Sequence, residues 1–242
     1  MTTEPLHLEW QGVFNVRDLG GHRTGDGATT RRGALVRADS PMRLSARGWS
    51  SLREYRIRTI VDLRDPEVET GTYRDRADGM EIVRVPLFDL SDSEFWTPLR
   101  GEFDPLRLYR SALARWPAQF GAAVCAVAHA CPGGVLVHCQ VGKDRTGLVA
   151  ALILSALGVR PEDVAADYGA SAERLGPLYE RWRGRGELAA AGMHTQMSVA
   201  GESPVAAVLE LLETLHVVEY LHGAGVTDSD LARLRERLVE EK

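Results

Sequence analysis

One cysteine and the ten residues around it constrain this chain more than any other feature. The apolar run Gly134-Val135-Leu136-Val137 leads into His138-Cys139-Gln140-Val141-Gly142-Lys143-Asp144-Arg145-Thr146-Gly147, and Leu148 to Leu154 continues as an apolar helical pattern. The order is strand, tight loop, helix start. Such a layout aims backbone N–H groups, the positive end of a helix and an arginine at one small volume. A thiolate and a phosphate are two species that such a volume holds well.

The rest of the chain agrees with an α/β fold. Ala34-Leu35-Val36-Arg37, Thr59 to Leu63 and Glu81 to Val85 are short β-rich runs, and Ser45 to Tyr55 between the first two has helical spacing. Pro105 to His129 is expected to be helical with a break near Pro117. After Gly158 the pattern is helical throughout. Pro161-Glu162-Asp163 supplies proline and acids to a first turn, and further helices are expected over Leu175 to Arg183, Pro204 to Leu221 and Asp228 to Val239. Alternating strands and helices predict a central, mostly parallel sheet of four to five strands flanked by helices, with active loops at the carboxyl ends of the strands. The 242 residues suit a single domain over 1–242. Gly184 to Gly201 is expected to be a mobile connection or a lid.

Composition excludes several classes. A net charge of -5 suits a general nucleic-acid binder poorly, so an anionic ligand must be caught by a local site. No stretch is long and apolar enough to span a bilayer, and the N-terminus lacks a basic region followed by an apolar one. A cytoplasmic location is expected, export without a cleaved signal aside. Three cysteines make no disulfide framework, and Cys125 and Cys131 are expected to be inert buried thiols. All but two of the 29 basic residues are arginines, and the one internal lysine, Lys143, falls inside the cysteine loop.

Hydrolysis of a phosphate ester through a covalent intermediate needs a nucleophile that takes the phosphoryl group and then yields it to water. Cysteine does this as a thiolate, favoured by helix N-termini and nearby cations. The amides of Gln140, Val141, Gly142, Lys143, Asp144, Arg145 and Thr146 can curl around Cys139 as an anion nest, with Gly142 permitting the tight turn. Arg145 can grip two phosphate oxygens. Thr146 is expected to donate its hydroxyl to the sulfur, and His138 to organise the loop. Lys143 and Asp144 are expected to point from the loop rim toward substrate.

These residues resemble the signature loop of the cysteine-dependent tyrosine phosphatase superfamily. The Gly-Lys-Asp-Arg-Thr-Gly core resembles in particular the bacterial and fungal group typified by a mycobacterial phosphatase. Phe14-Asn15-Val16-Arg17-Asp18-Leu19-Gly20-Gly21 resembles that group's N-terminal motif, with Val16 where an aromatic is common. Arg37-Ala38-Asp39, Ile60 to Arg64 and the tail from Glu219 to Leu234 match further landmarks. The resemblance implies the phosphatase fold, no metal or other cofactor, Cys139 as nucleophile, Arg145 as phosphate ligand, and Asn15 and Arg17 as braces. It favours Asp144 as general acid. Asp89, in the loop after Val85-Pro86-Leu87, is the competing acid, with Asp92 beside it; Asp62 is expected to be structural. The stretch from Ser91 to Tyr109, with Phe95, Trp96, Phe103 and Tyr109, either walls the pocket or packs on the sheet. The expected substrate is a phosphorylated protein or a phosphoinositide. Sulfur transfer, arsenate reduction and a non-catalytic phospho-ligand module are the alternatives. Oligomeric state has no signature in the sequence.

Overall fold

The structure is a computed structural model that describes residues 6–67, 69, 71–99, 104–185 and 205–240. Its sheet has six strands in the order β1-β2-β4-β7-β5-β6. The strands are β1 (Leu6–His7), β2 (Arg17–Asp18), β4 (Leu35–Ala38), β5 (Ile57–Asp62), β6 (Glu81–Arg84) and β7 (Gly134–His138). Pairings β4–β7, β7–β5 and β5–β6 are parallel; β1–β2 and β2–β4 are antiparallel. The expected mostly parallel sheet is present, but with six strands and not four to five: β4, β7, β5 and β6 are parallel, and the N-terminal segment adds the short antiparallel edge β1-β2. Thr29–Thr30 (β3) pairs separately with Val239–Glu240 (β8).

Strand alternation sends the two faces into different cores. Leu35, Val61, Val135 and Val137 enter one cluster, with Phe120 and Val124 of α4 (Pro117–Ala128) and Val149 and Ile153 of α5 (Asp144–Ala156). Val36, Ile60 and Leu136 enter the other, with Trp49 and Leu52 of α1 (Ala46–Glu54). β7 lies between two parallel neighbours and is buried along its whole length, as a continuous apolar run requires. Helix α5 is buried from Asp144 to Leu154. It lies close to α6 because residue 147 is glycine: a Cβ there would stand 2.3 Å from the Tyr168 ring.

Local signals set the helix ends. Ser45 caps α1 by accepting the Gly48 amide at 3.1 Å. Helices α2 (Ser93–Trp96) and α3 (Pro105–Arg115) start behind Asp92 and Asp104, and Trp116 alone separates the end of α3 from Pro117, which opens α4. The C-terminal half differs from expectation in two places. Helix α6 runs unbroken from Pro161 to Gly184 and carries Pro177 within it. Leu175, Leu178, Tyr179 and Trp182 bury against Val141, so packing holds the helix across a residue that cannot donate its own backbone bond. The expected helix over Pro204 to Leu221 is two, α7 (Val205–Thr214) and α8 (Val217–Gly223), followed by α9 (Asp228–Leu238). Pro204, Phe103 and most of the expected lid at Gly184 to Gly201 lie outside the described residues. Among the described residues no helix is long and apolar enough to cross a membrane.

Candidate active site

The loop joining β7 to α5 is tied to its surroundings through a series of its carbonyls. His138 Nδ1 donates to the Cys139 carbonyl at 3.0 Å. The Gln140 carbonyl accepts from the Ser40 amide at 3.2 Å and from Arg43 at 3.0 Å. Asn15 Nδ2 donates to the Val141 carbonyl at 3.0 Å. Arg37 donates to the carbonyls of Gly142 at 2.8 Å and Lys143 at 3.1 Å. With each carbonyl drawn outward, the peptide units turn their N–H ends toward the interior of the loop. The Gly142 amide donates to Cys139 Sγ at 3.3 Å. Gly142 has φ +70, and a Cβ on it would fall 2.3 Å from the Ala38 carbonyl, so only glycine closes this turn against β4.

The braces form one buried network. Arg17 and Arg37 share the carboxylate of Asp167 on α6, at 2.7 and 2.6 Å. Arg17 also donates to Asn15 Oδ1 at 2.6 Å and to Ser171 Oγ at 3.0 Å. Asp39 accepts the amides of Phe14 and Asn15, both at 2.9 Å, and pairs with Arg43 at 2.9 Å. Burial and the neighbouring Arg37 charge lower Arg17 to about 10, and the Asp167 charge opposes them. Burial works against the Asp167 charge, yet Arg17 and Arg37 outweigh it and hold that carboxyl well below its usual range. Asn15 therefore bonds the loop directly, and Arg17 reaches it through Asn15.

His138 is fully buried, and burial lowers its pKa despite the nearby Asp62 charge. A neutral ring with the proton on Nδ1 fits its partners, since Nε2 then accepts from the Tyr73 hydroxyl at 2.7 Å. Asp62 closes the same cluster by binding Arg64 through both oxygens at 2.9 and 2.8 Å.

Arg145 is fully buried at the start of α5. Its two terminal nitrogens meet both oxygens of Glu69, at 2.5 and 2.7 Å, and its carbon lies 5.9 Å from the centre of the Phe88 ring. Burial opposes its charge, but Glu69 overrides this and raises its pKa. Lys143 and Asp144 do not project from the rim; both are buried at 5% exposure. Their carbonyl and helix-start positions draw them inward, and Asp144 Oδ1 accepts the hydroxyls of Tyr109 at 2.6 Å and Tyr168 at 2.9 Å. Asp89 is exposed, and its carboxylate accepts the Ser91 amide and hydroxyl at 2.8 and 2.6 Å, closing its own turn. It is not brought to the cysteine by any of these bonds. Thr146 is buried, and its hydroxyl has no partner among the described residues, so the expected bond to sulfur is not formed. Gln140 alone in the loop is half-buried, while Val141 is covered.

The cover is the outer half of α6. Leu175, Leu178, Tyr179 and Trp182 pack with Val141 and Phe14. The Tyr179 hydroxyl is buried without a partner among the described residues. Burial first, then the proximity of Asp144 and Cys139, pushes its ionisation up. Phe95 and Trp96 pack with Phe88 and Trp116, so this part of the aromatic stretch is core. Cys125 is half-buried and Cys131 is exposed, its thiol 3.3 Å from Glu81. The expected burial of both thiols is thus corrected: each lies near the surface end of α4 and not within the core.

Asp167, Glu69 and Tyr179 were not singled out from the sequence. Asp163, Asp167 and Ser171 recur at helical spacing, and all three are buried. A polar stripe on a core-facing helix side was the available signal. Glu69 stands alone in a loop and left none.

The site is a strand–loop–helix whose cysteine sulfur accepts a loop amide, with a buried arginine at the helix start. The chain matches the tyrosine phosphatase family over residues 8–240 and belongs to it. It is 30% identical over 203 residues to the triple specificity protein phosphatase PtpB of Mycobacterium tuberculosis, covering 72% of each chain. It is 29% identical over 177 residues to a Cupriavidus necator protein named as a tyrosine-protein phosphatase, spanning 69% of this chain and 63% of that one. The solved structure of Pseudomonas aeruginosa TpbA aligns over 91% of this chain and 96% of its own, with 13% identity and a TM-score of 0.44.

Proposed function

We propose that residues 1–242 act as one phosphomonoester hydrolase domain working through a phosphocysteine intermediate. The observation that carries this is the set of outward-bonded carbonyls from Cys139 to Lys143, around a sulfur that already accepts one loop amide. Cys139 attacks phosphorus as a thiolate; the S–P bond forms as the bond to the leaving oxygen breaks. The amides from Gln140 to Thr146 and the Arg145 guanidinium take the charge of the equatorial oxygens. Asp144 gives its proton to the leaving oxygen, then accepts one from the water that attacks phosphorus and breaks the S–P bond. Inorganic phosphate leaves and the thiolate returns. Glu69 is the positioning residue for Arg145, because its two bonds fix the guanidinium plane.

Phosphotyrosine in proteins is the leading substrate, supported by family membership; the relative named for triple specificity supports extension to phosphoserine and phosphothreonine. Phosphoinositides are tested in the same panel. Hydrolysis of p-nitrophenyl phosphate should persist in EDTA and be inhibited by vanadate. Cys139→Ser should abolish it while tungstate binding, read by titration calorimetry, persists. Wild-type turnover in that variant, or thiosulfate–cyanide sulfur transfer without phosphatase activity, refutes the reading. Asp144→Asn should slow alkyl phosphates much more than p-nitrophenyl phosphate; if Asp89→Asn does so instead, the acid is Asp89.

A further inference from the structure

At the opposite end of the sheet lies a cleft of about 600 Å³ that the proposed chemistry does not use. Its floor is the chain just before three parallel strands: Gly33-Ala34 ahead of β4, Arg56 ahead of β5 and Gly133-Gly134 at β7. Five residues of β7 separate it from Cys139, about 16 Å at strand rise. Its walls carry Arg31, Arg32, Arg56, Arg233 and Arg237, against one acid, Glu236. In a protein with net charge -5 this is a marked local reversal of sign.

The arginines divide into two kinds. Arg31 and Arg237 are tied to the walls: Arg31 donates to the Val239 carbonyl at 3.0 Å, and Arg237 to the carbonyls of Ala130, Cys131 and Gly133. The side chains of Arg32, Arg56 and Arg233 are exposed and make no hydrogen bond or ion pair among the described residues. Arg56 carries a second, independent observation. It is the one non-glycine residue with positive φ, +60, among the described residues. It follows the end of α1, where glycine is the usual occupant because it has no Cβ. Its amide bonds to the Arg53 carbonyl at 2.9 Å and its carbonyl to the Gly134 amide at 3.0 Å, so the backbone is fixed in this disfavoured state. The chain keeps a cation where an uncharged glycine would be more stable.

We propose that this cleft is a binding site for a compact polyphosphorylated small molecule, one with at least two linked or adjacent phosphoryl groups. Three arginines from separate elements, the β3–β4 turn, the α1–β5 turn and α9, line one concave space. Three positive charges are matched better by linked phosphates, each able to accept forked bonds, than by a single phosphate dianion. A concave site of this volume suits a small ligand better than an extended polymer.

The test is titration calorimetry of the full chain with inorganic tripolyphosphate at about 0.15 M salt, where long-range surface attraction is screened. Arg56→Gly removes a cation and relaxes the backbone, so the fold is retained; Arg233→Ala changes an exposed helix position. Each should weaken tripolyphosphate binding about tenfold or more, the worth of a charge-assisted bond. KM for p-nitrophenyl phosphate should stay within twofold in both. Saturating orthophosphate, which occupies the catalytic loop, should leave the binding in place. The proposal is overturned if both variants bind tripolyphosphate like wild type, if orthophosphate abolishes the binding, or if sulfate of equal ionic strength displaces it completely.

Discussion

Replacing Asp167 by Asn removes the only negative charge shared by two buried guanidiniums. Arg17 and Arg37 are 0% and 1% exposed, and the carboxylate meets them at 2.7 and 2.6 Å. An asparagine can keep an oxygen toward Arg17, but its amide then faces Arg37, donor against donor. Removing one partner of a buried pair costs about 3–5 kcal/mol. For a chain of this length that corresponds to a fall in Tm of roughly 6–10 °C. The loss should also reach the loop, because Arg37 holds the Gly142 and Lys143 carbonyls and Arg17 holds Asn15, which holds Val141. Urea unfolding at pH 7 measures the first effect, and kcat of the still-folded variant at low temperature the second. The pH dependence has a definite sign. The native Asp167 carboxyl is depressed, so its stabilisation is complete above the unfolded value of about 4 and is lost as pH falls toward the native one. The gap between wild type and Asp167→Asn should therefore be full at pH 7 and narrow below pH ~4. A variant within about 1 kcal/mol of wild type at pH 7, or a gap independent of pH, would refute the reasoning.

Three further outcomes are expected. Glu69→Gln should lower kcat for p-nitrophenyl phosphate by about 100-fold, since a small misplacement of a catalytic group costs that much, while Glu69→Asp restores part of it; unchanged kcat removes Glu69 from the positioning role. Tyr179→Phe deletes a buried hydroxyl that has no partner among the described residues, so stability should rise by about 1 kcal/mol, and a loss in the urea midpoint would show the hydroxyl to be satisfied. Asp62 is pressed to about 2, against the burial that would raise it, by its ion pair and two bonds with Arg64, so its share of stability, about 2 kcal/mol, is present above pH ~4 and is lost toward pH ~2; Asp62→Asn should remove that acid-sensitive share.

What the sequence revealed and what it hid follow from the range of the forces. The loop was legible because its parts are consecutive: β7, Cys139, Gly142, Arg145 and α5 occupy about twenty residues and declare themselves by periodicity and spacing. The parallel core followed from three short β-rich runs. The braces were only half legible. Asn15 and Arg17 were named through resemblance, but Asp167, which balances Arg17, lies 150 residues away and shares no local pattern with it. Lys143 and Asp144 were expected on the rim because charged residues usually seek water. The structure draws Asp144 inward because Tyr109 and Tyr168 offer it hydroxyls, and the need for those partners is set by tertiary packing. A helix starting at Pro161 and another over Leu175 to Arg183 were expected separately; they are one helix, α6, sustained across Pro177 by burial of Leu175 and Leu178 on either side.

Pro177 separates two tasks along that helix. Asp167 and Ser171 precede it and bind the arginine network beneath the loop; Leu178, Tyr179 and Trp182 follow it and cover Val141 and Phe14. Each half of one helix thus touches the loop by a different kind of contact, polar before the proline and apolar after it. The loop's shape is in this way answerable to a single rod at two separate points, and a change at either end of that rod is felt at the same turn.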